Sequence, residues 1–142
     1  MLNSIRQYKG NIRAVAAVEF AIVVPVLMLI LFGIIAYGIF FGAANSVQQL
    51  AANSARAAMG GLDASERQEL VDAYVEHYLA QDGILIADHL TVQVTPVDLD
   101  ETLLAVRVTY NASNLPVWNL YGGLPPPERM IQREAVIRTG GF

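Results

Sequence analysis

Apolar residues run almost unbroken from Ala14 to Ala44, and Glu19 is the one charged group among them. About twenty apolar residues in a helix suffice to cross a hydrocarbon core. A membrane-spanning helix is therefore predicted over residues 15–44. Pro25 lies inside it, at a cost that spans tolerate better than soluble helices do. A carboxylate in such a segment is expensive, so Glu19 is the first candidate for function. The helical pattern continues beyond the span. Asn45 to Met59 has neither Gly nor Pro, and Val47, Leu50, Ala51, Ser54 and Ala58 fall on one side at helical spacing. Gly60-Gly61 then stops it. One helix from about Arg13 to Met59, roughly 70 Å long at the standard rise, is expected.

A second helix follows. Asp63 with Glu66, or Ser65 with Gln68, has the spacing of a capping box. Leu70, Val71, Tyr74, Val75 and Tyr78 form an apolar face, opposite Glu66, Glu69, Asp72 and Glu76, and Gly83 is a terminator. The period then changes to two. Thr91–Thr95 alternates and ends at Pro96, residues 98–101 read as a turn, and Leu104, Val106, Val108 and Tyr110 alternate with Ala105, Arg107 and Thr109. These two strands are predicted to pair antiparallel. Residues 114–127, rich in Pro, Gly and aromatics, read as a loop, and residues 133–138 as a third strand. The fold class is thus α+β: a long N-terminal transmembrane helix extending into a small domain with one amphipathic helix and a short antiparallel sheet.

Charge gives this arrangement a direction. Arg6, Lys9 and Arg13 precede the span without any acid, whereas twelve of the thirteen acids and six of the nine bases follow residue 44. A short basic flank stays on the cytoplasmic side. The chain divides into a basic cytoplasmic leader over 1–14, the span over 15–44 and an extracytoplasmic domain over 45–142. The acidic outer domain argues against nucleic-acid binding. With no cysteine in the chain, packing rather than disulfides must hold that domain.

The remaining candidate chemistry is sparse. Gly33, Gly38 and Gly42 recur along the span, and Gly38-x-x-x-Gly42 is a helix-packing pattern, although glycine is common in spans. His77 and His89 lack the companions of a metal site. Tyr110, Trp118 and Tyr121 surround the proline-rich loop, either closing a small core or offering a partner contact. Asn111-Ala112-Ser113 fits the glycosylation acceptor pattern. No nucleophile–base pair, phosphate loop or carboxylate pair suggests catalysis. No enzyme activity, cofactor, metal or small-molecule substrate is expected.

The run from Arg13 through Glu19 and Phe20 to Ala21, followed by Pro25 and by residues 31–35, resembles the opening of TadE-like proteins, pseudopilins of the bacterial tight-adherence pilus system. The Ala-rich stretch 51–58 with its Ala55-Arg56 pair, and more loosely residues 133–135, fit as well. The resemblance implies a pilin-like architecture and a structural role in assembling a type IVc-like pilus or its secretion machinery. It implies cutting by a prepilin peptidase between Ala14 and Val15, which makes Glu19 the fifth residue of the mature chain. Ala14 stands where the family usually has glycine, and Ala36 where it often has an acid. The implied partners are other pilins or pseudopilins, the peptidase, the inner-membrane pilus platform and the lipid bilayer. The implied location is the bacterial inner membrane, with the outer domain in the periplasm or the chain incorporated into a surface pilus. The other reading of the same residues is an uncleaved single-span anchor carrying a module that contacts an envelope partner.

Overall fold

The computed structural model describes residues 2–97, 102–120 and 126–139, with side chains from residue 14 onward. Helix α1 spans Leu2–Ala58. It is longer than the sequence pattern indicates, because residues 2–12 continue the helical backbone ahead of Arg13. Its 57 residues extend about 85 Å at 1.5 Å per residue. Pro25 does not interrupt it: the missing N–H leaves one carbonyl of the preceding turn without its helical donor, and the ladder resumes beyond.

The two halves of α1 live in different surroundings. From Ala14 to Phe32 every side chain is exposed except Val24, which is half-buried. From Gly33 onward one stripe becomes buried: Ala36, Ala43, Ala44, Val47, Leu50, Ala51, Ser54, Ala55 and Ala58. Each of these positions lies three, four or seven residues from another in the set, so they share a single face. Most are alanine, and small side chains let a sheet approach a helix closely. The face predicted over residues 47–58 is the one that is buried.

Helix α2, Ala64–Leu79, folds back along α1. Asp63 is its N-cap: the carboxylate accepts from Glu66 N–H at 2.9 Å and from the Ser65 hydroxyl at 2.6 Å. Glu66 reaches back to accept from Leu62 N–H at 2.7 Å. The Asp63–Glu66 alternative is thus the one adopted, and Ser65 supports the cap instead of forming its own. Gly83 is not the terminator, since α2 ends at Leu79 with Ala80 as C-cap in an ordinary right-handed conformation. Val71 is buried and Tyr74, Val75, Tyr78 and Leu79 are half-buried, whereas Leu70 stays exposed at the edge of the face, beside Gly60. The antiparallel run of α2 brings the Tyr78 hydroxyl to the carbonyl of Ser46 at 3.5 Å. Burial raises the Tyr78 phenol above its ordinary value of 10.0.

Three strands form an antiparallel meander in the order β1-β2-β3: β1 is Leu90–Pro96, β2 Leu103–Asn111 and β3 Met130–Arg138. The third strand begins three residues earlier than its alternation indicates. Register places Leu90 opposite Tyr110 and Pro96 opposite Leu104, with Asn111 opposite Met130. Arg107 opposes Glu134 and pairs with it at 2.7 Å on the solvent side. Leu104, Val106, Val108 and Tyr110 are buried on the other face. Val106 packs with Ala55, Ala58 and Val71, while Val108 and Tyr110 belong to the cluster holding Ala36, Val47 and Leu50. β2 therefore descends along α1 towards the exposed half of that helix. His89 ends a 3-10 turn, Ala87–His89, just before β1 and does not open the strand itself. The predicted loop after β2 holds two further 3-10 turns, Ala112–Asn114 and Pro116–Asn119. The turn over 98–101 and Tyr121 lie outside the described residues.

Candidate functional site: the exposed half of the long helix

The sequence singles out Ala14, Val15 and Glu19, and the helix puts them together. Residues four apart are neighbours one turn away along a helix. Ala14, Val15, Val18 and Glu19 accordingly line one shallow concavity of about 300 Å³. Glu19 is exposed, and no described side chain pairs with it. Phe20 lies beside it and is also exposed. This is an apolar surface with a single carboxylate, about one turn beyond the Ala14–Val15 bond. Such a group favours a cationic partner if lipid surrounds it, because an unpaired charge in hydrocarbon is costly.

The Ala14–Val15 peptide lies in uninterrupted helix, with helical backbone on both sides. Its N–H and C=O are engaged in the helical ladder. Any protease that cuts there must first unwind that turn.

The glycines fall into different environments. Gly33 is buried. A Cβ at Gly42 would meet the Ile84 side chain of the same chain at 3.6 Å, whereas one at Gly38 would meet nothing within 4 Å. The Gly38-x-x-x-Gly42 pair is thus divided: Gly42 faces its own outer domain, and Gly38 is open. Arg56 lies in the last turn of α1, where a cation complements the helix dipole. Its guanidinium donates to Asn53 Oδ1 at 3.0 Å.

Other candidates are absorbed by local structure. His77 shares a hydrogen bond of 2.9 Å with Gln81 on the exposed side of α2. Asn111 caps the next turn by accepting from Ser113 N–H at 3.0 Å. Tyr110 is fully buried and donates to Asn114 Oδ1 at 3.1 Å, which is the core role. Trp118 donates from Nε1 to the Ala112 carbonyl at 2.7 Å, and the Arg129 guanidinium lies 5.0 Å above its ring. Sequence reasoning missed Ile84 and Ile86. They sit in a short connection between α2 and β1, where the three-residue apolar run 84–86 is too short to establish a period.

One helix among the described residues is long and apolar enough to cross a membrane, namely the part of α1 from Ala14 to Ala58. Residues 14–56 match the family model described as TadE-like protein. The match covers the exposed half of α1 and most of the stripe that carries the core, and it stops before α2 and the sheet. No curated protein and no solved structure matches the chain.

Proposed function

We propose, from the TadE-like segment at residues 14–56, that this chain is a pseudopilin: a non-catalytic structural subunit in assembly of a tight-adherence pilus or its secretion machinery. The observation that carries the reading is Glu19, exposed one turn beyond the Ala14–Val15 bond on a helix otherwise apolar enough to span a membrane. Cleavage there by a prepilin peptidase creates a cationic amine on Val15. Glu19 then has two cationic partners of the same kind: the amine of its own chain, or that of a neighbouring subunit. Either pairing lowers the cost of the charge in lipid. Removing Arg6, Lys9 and Arg13 also releases the chain from the cytoplasmic side, where basic flanks hold it. The domain then faces the periplasm, and the partners are pilins, the peptidase and the inner-membrane platform.

The test is cross-linking in a bacterium that makes the pilus. Glu19→Ala should insert in the membrane like the parent and lose most of its cross-links to neighbouring subunits. Unchanged cross-links and unchanged pilus output would overturn the pairing role.

A second reading is favoured by one specific feature. The intact helix through Ala14–Val15 and the alanine at 14 suit a permanent anchor, in which the leader stays and the outer domain contacts an envelope partner. The two readings differ in the N-terminus of the mature protein.

A further inference from the structure

The two faces of α1 disagree about where a membrane would end. On the face towards the outer domain, burial by protein begins at Gly33 and Ala36. On the opposite face the helix stays apolar and open as far as Phe41, which is 63% exposed. Polar exposed positions begin only at Asn45, followed by Gln48 and Gln49. Residues 14–33 already provide about 30 Å of helix, the thickness of a hydrocarbon core. The next eight residues, roughly 12 Å of rise, are apolar on one side and covered by the domain on the other. Both observations hold at once if the lower edge of the domain shares the interfacial layer with the helix.

The chemistry of that edge fits. The connection after α2 alternates: Leu85 is buried in the core, while Ile84 and Ile86 on either side of it are 40% and 48% exposed. Asp82 fixes the connection by accepting from Ile84 N–H at 2.9 Å. The Ile84 side chain reaches the level of Gly42 on α1. The 3-10 turn Pro116–Asn119, which carries Trp118, packs on α1 at the same end of the domain, where Arg129 covers the indole. Tryptophan and arginine with adjacent aliphatic side chains are the groups that settle at a membrane–water boundary. Asp82 and Asp88 flank the Ile84–Ile86 segment in sequence and Glu128 precedes Arg129, so acids outnumber the one arginine here, anionic headgroups are not favoured, and the contact is apolar.

We infer that the lower edge of the outer domain, through Ile84, Ile86 and the Trp118 turn, is seated in the phospholipid interface beside the span. The domain is then docked on the bilayer, not held above it on a free helical stalk. This rests on residues 14–33 being the span, and the experiment separates the two claims.

The chain has no cysteine, so single labelling sites are available in the full-length protein. Ile86→Cys, Leu62→Cys and Ile30→Cys are each labelled with an environment-sensitive fluorophore and reconstituted in phosphatidylethanolamine–phosphatidylglycerol vesicles. Leu62 is the distal control, 89% exposed in the turn between α1 and α2. The expected result is several-fold stronger quenching at 86 than at 62 by lipids carrying the quencher near the glycerol level. The label at 30 should respond to a quencher near the chain ends. Quenching at 30 with 86 behaving like 62 would overturn the docking and leave the span intact. No lipid quenching at 30 would overturn the span itself and the docking with it. Quenching at 86 that appears only at high protein-to-lipid ratio would assign the edge to a second copy and equally overturn the lipid contact.

Discussion

Glu19 and Ser54 are both polar groups on α1, and the environment of each sets a different expectation. Glu19 is exposed, and in the proposed pairing it acts through what a neighbour offers it, so its removal should affect assembly and not folding. If the proposed cut falls after Ala14, Ala14→Gly, which introduces the glycine that the TadE-like resemblance implies there, should preserve or speed processing. Glycine also lowers helix propensity and eases the unwinding that cleavage of a helical bond requires. An unaltered precursor in cells containing the peptidase would argue against a cut at this bond. Ser54 is fully buried and its hydroxyl finds no hydrogen-bond partner among the described residues. An unsatisfied buried hydroxyl is destabilising. Ser54→Ala should therefore raise stability, by about 1 kcal/mol, in thermal unfolding of the detergent-solubilised chain. A loss of stability would mean that the hydroxyl has a partner. Both residues were visible in the sequence, but only Glu19 stood out there: a serine among alanines on a helical face looks neutral until the sheet covers it.

At the scale of elements, the pattern was most legible where its period was sustained. The stripe from Val47 to Ala58 and the alternation of β2 were readable because each places one apolar set on one face. The ends of elements were less so. The sequence offered two caps for α2, and Asp63 wins because its carboxylate serves both the Ser65 hydroxyl and the Glu66 N–H. Those bonds hold the Asp63 carboxyl below its ordinary value of 3.8, with the Ser65 hydroxyl the largest cause. The stabilisation is complete above the unfolded value and fades as pH falls through the lower folded value. Acidification below about pH 4 should accordingly fray the first turn of α2, measurable as faster amide exchange at residues 64–67. Asp63→Asn, which cannot titrate, should abolish that pH dependence while keeping a cap. Tyr78 behaves in the opposite sense. Its folded value is raised, so its contribution persists up to pH 10 and is lost at higher pH. The alanines of α1 set a further expectation for the helix–sheet contact. Ala55→Leu should overpack the layer against Val71 and Val106 and cost about 1–3 kcal/mol, whereas Ala52→Leu, on a half-buried position beside the stripe, should cost less.

For the whole molecule, the chain is one long helix used twice. From Ala14 to Phe32 its side chains are open and, Glu19 apart, apolar, and from Gly33 onward it is the backbone of a small α+β core. The sequence carried the existence of both halves, because an apolar run and a helical stripe are local patterns. It did not carry the boundary between them. Ala36 shares its core cluster with Leu85, Leu115 and Val117, all more than forty residues away in sequence, so no local period marks where the domain begins to cover the helix. The lower edge was hidden for the same reason: Ile84 and Ile86 acquire meaning only when α2 returns them to the level of Gly42. The family match carries the rest of the functional reading, and it lies wholly on α1. What remains decisive is whether the helix ends at Val15 in the working protein. The intact mass of the chain purified from membranes of its native bacterium measures this directly. The pseudopilin account predicts a mature chain starting at Val15, with Glu19 as its fifth residue. A mass that retains residues 1–14, in cells with an active prepilin peptidase, would contradict it and leave the permanent anchor.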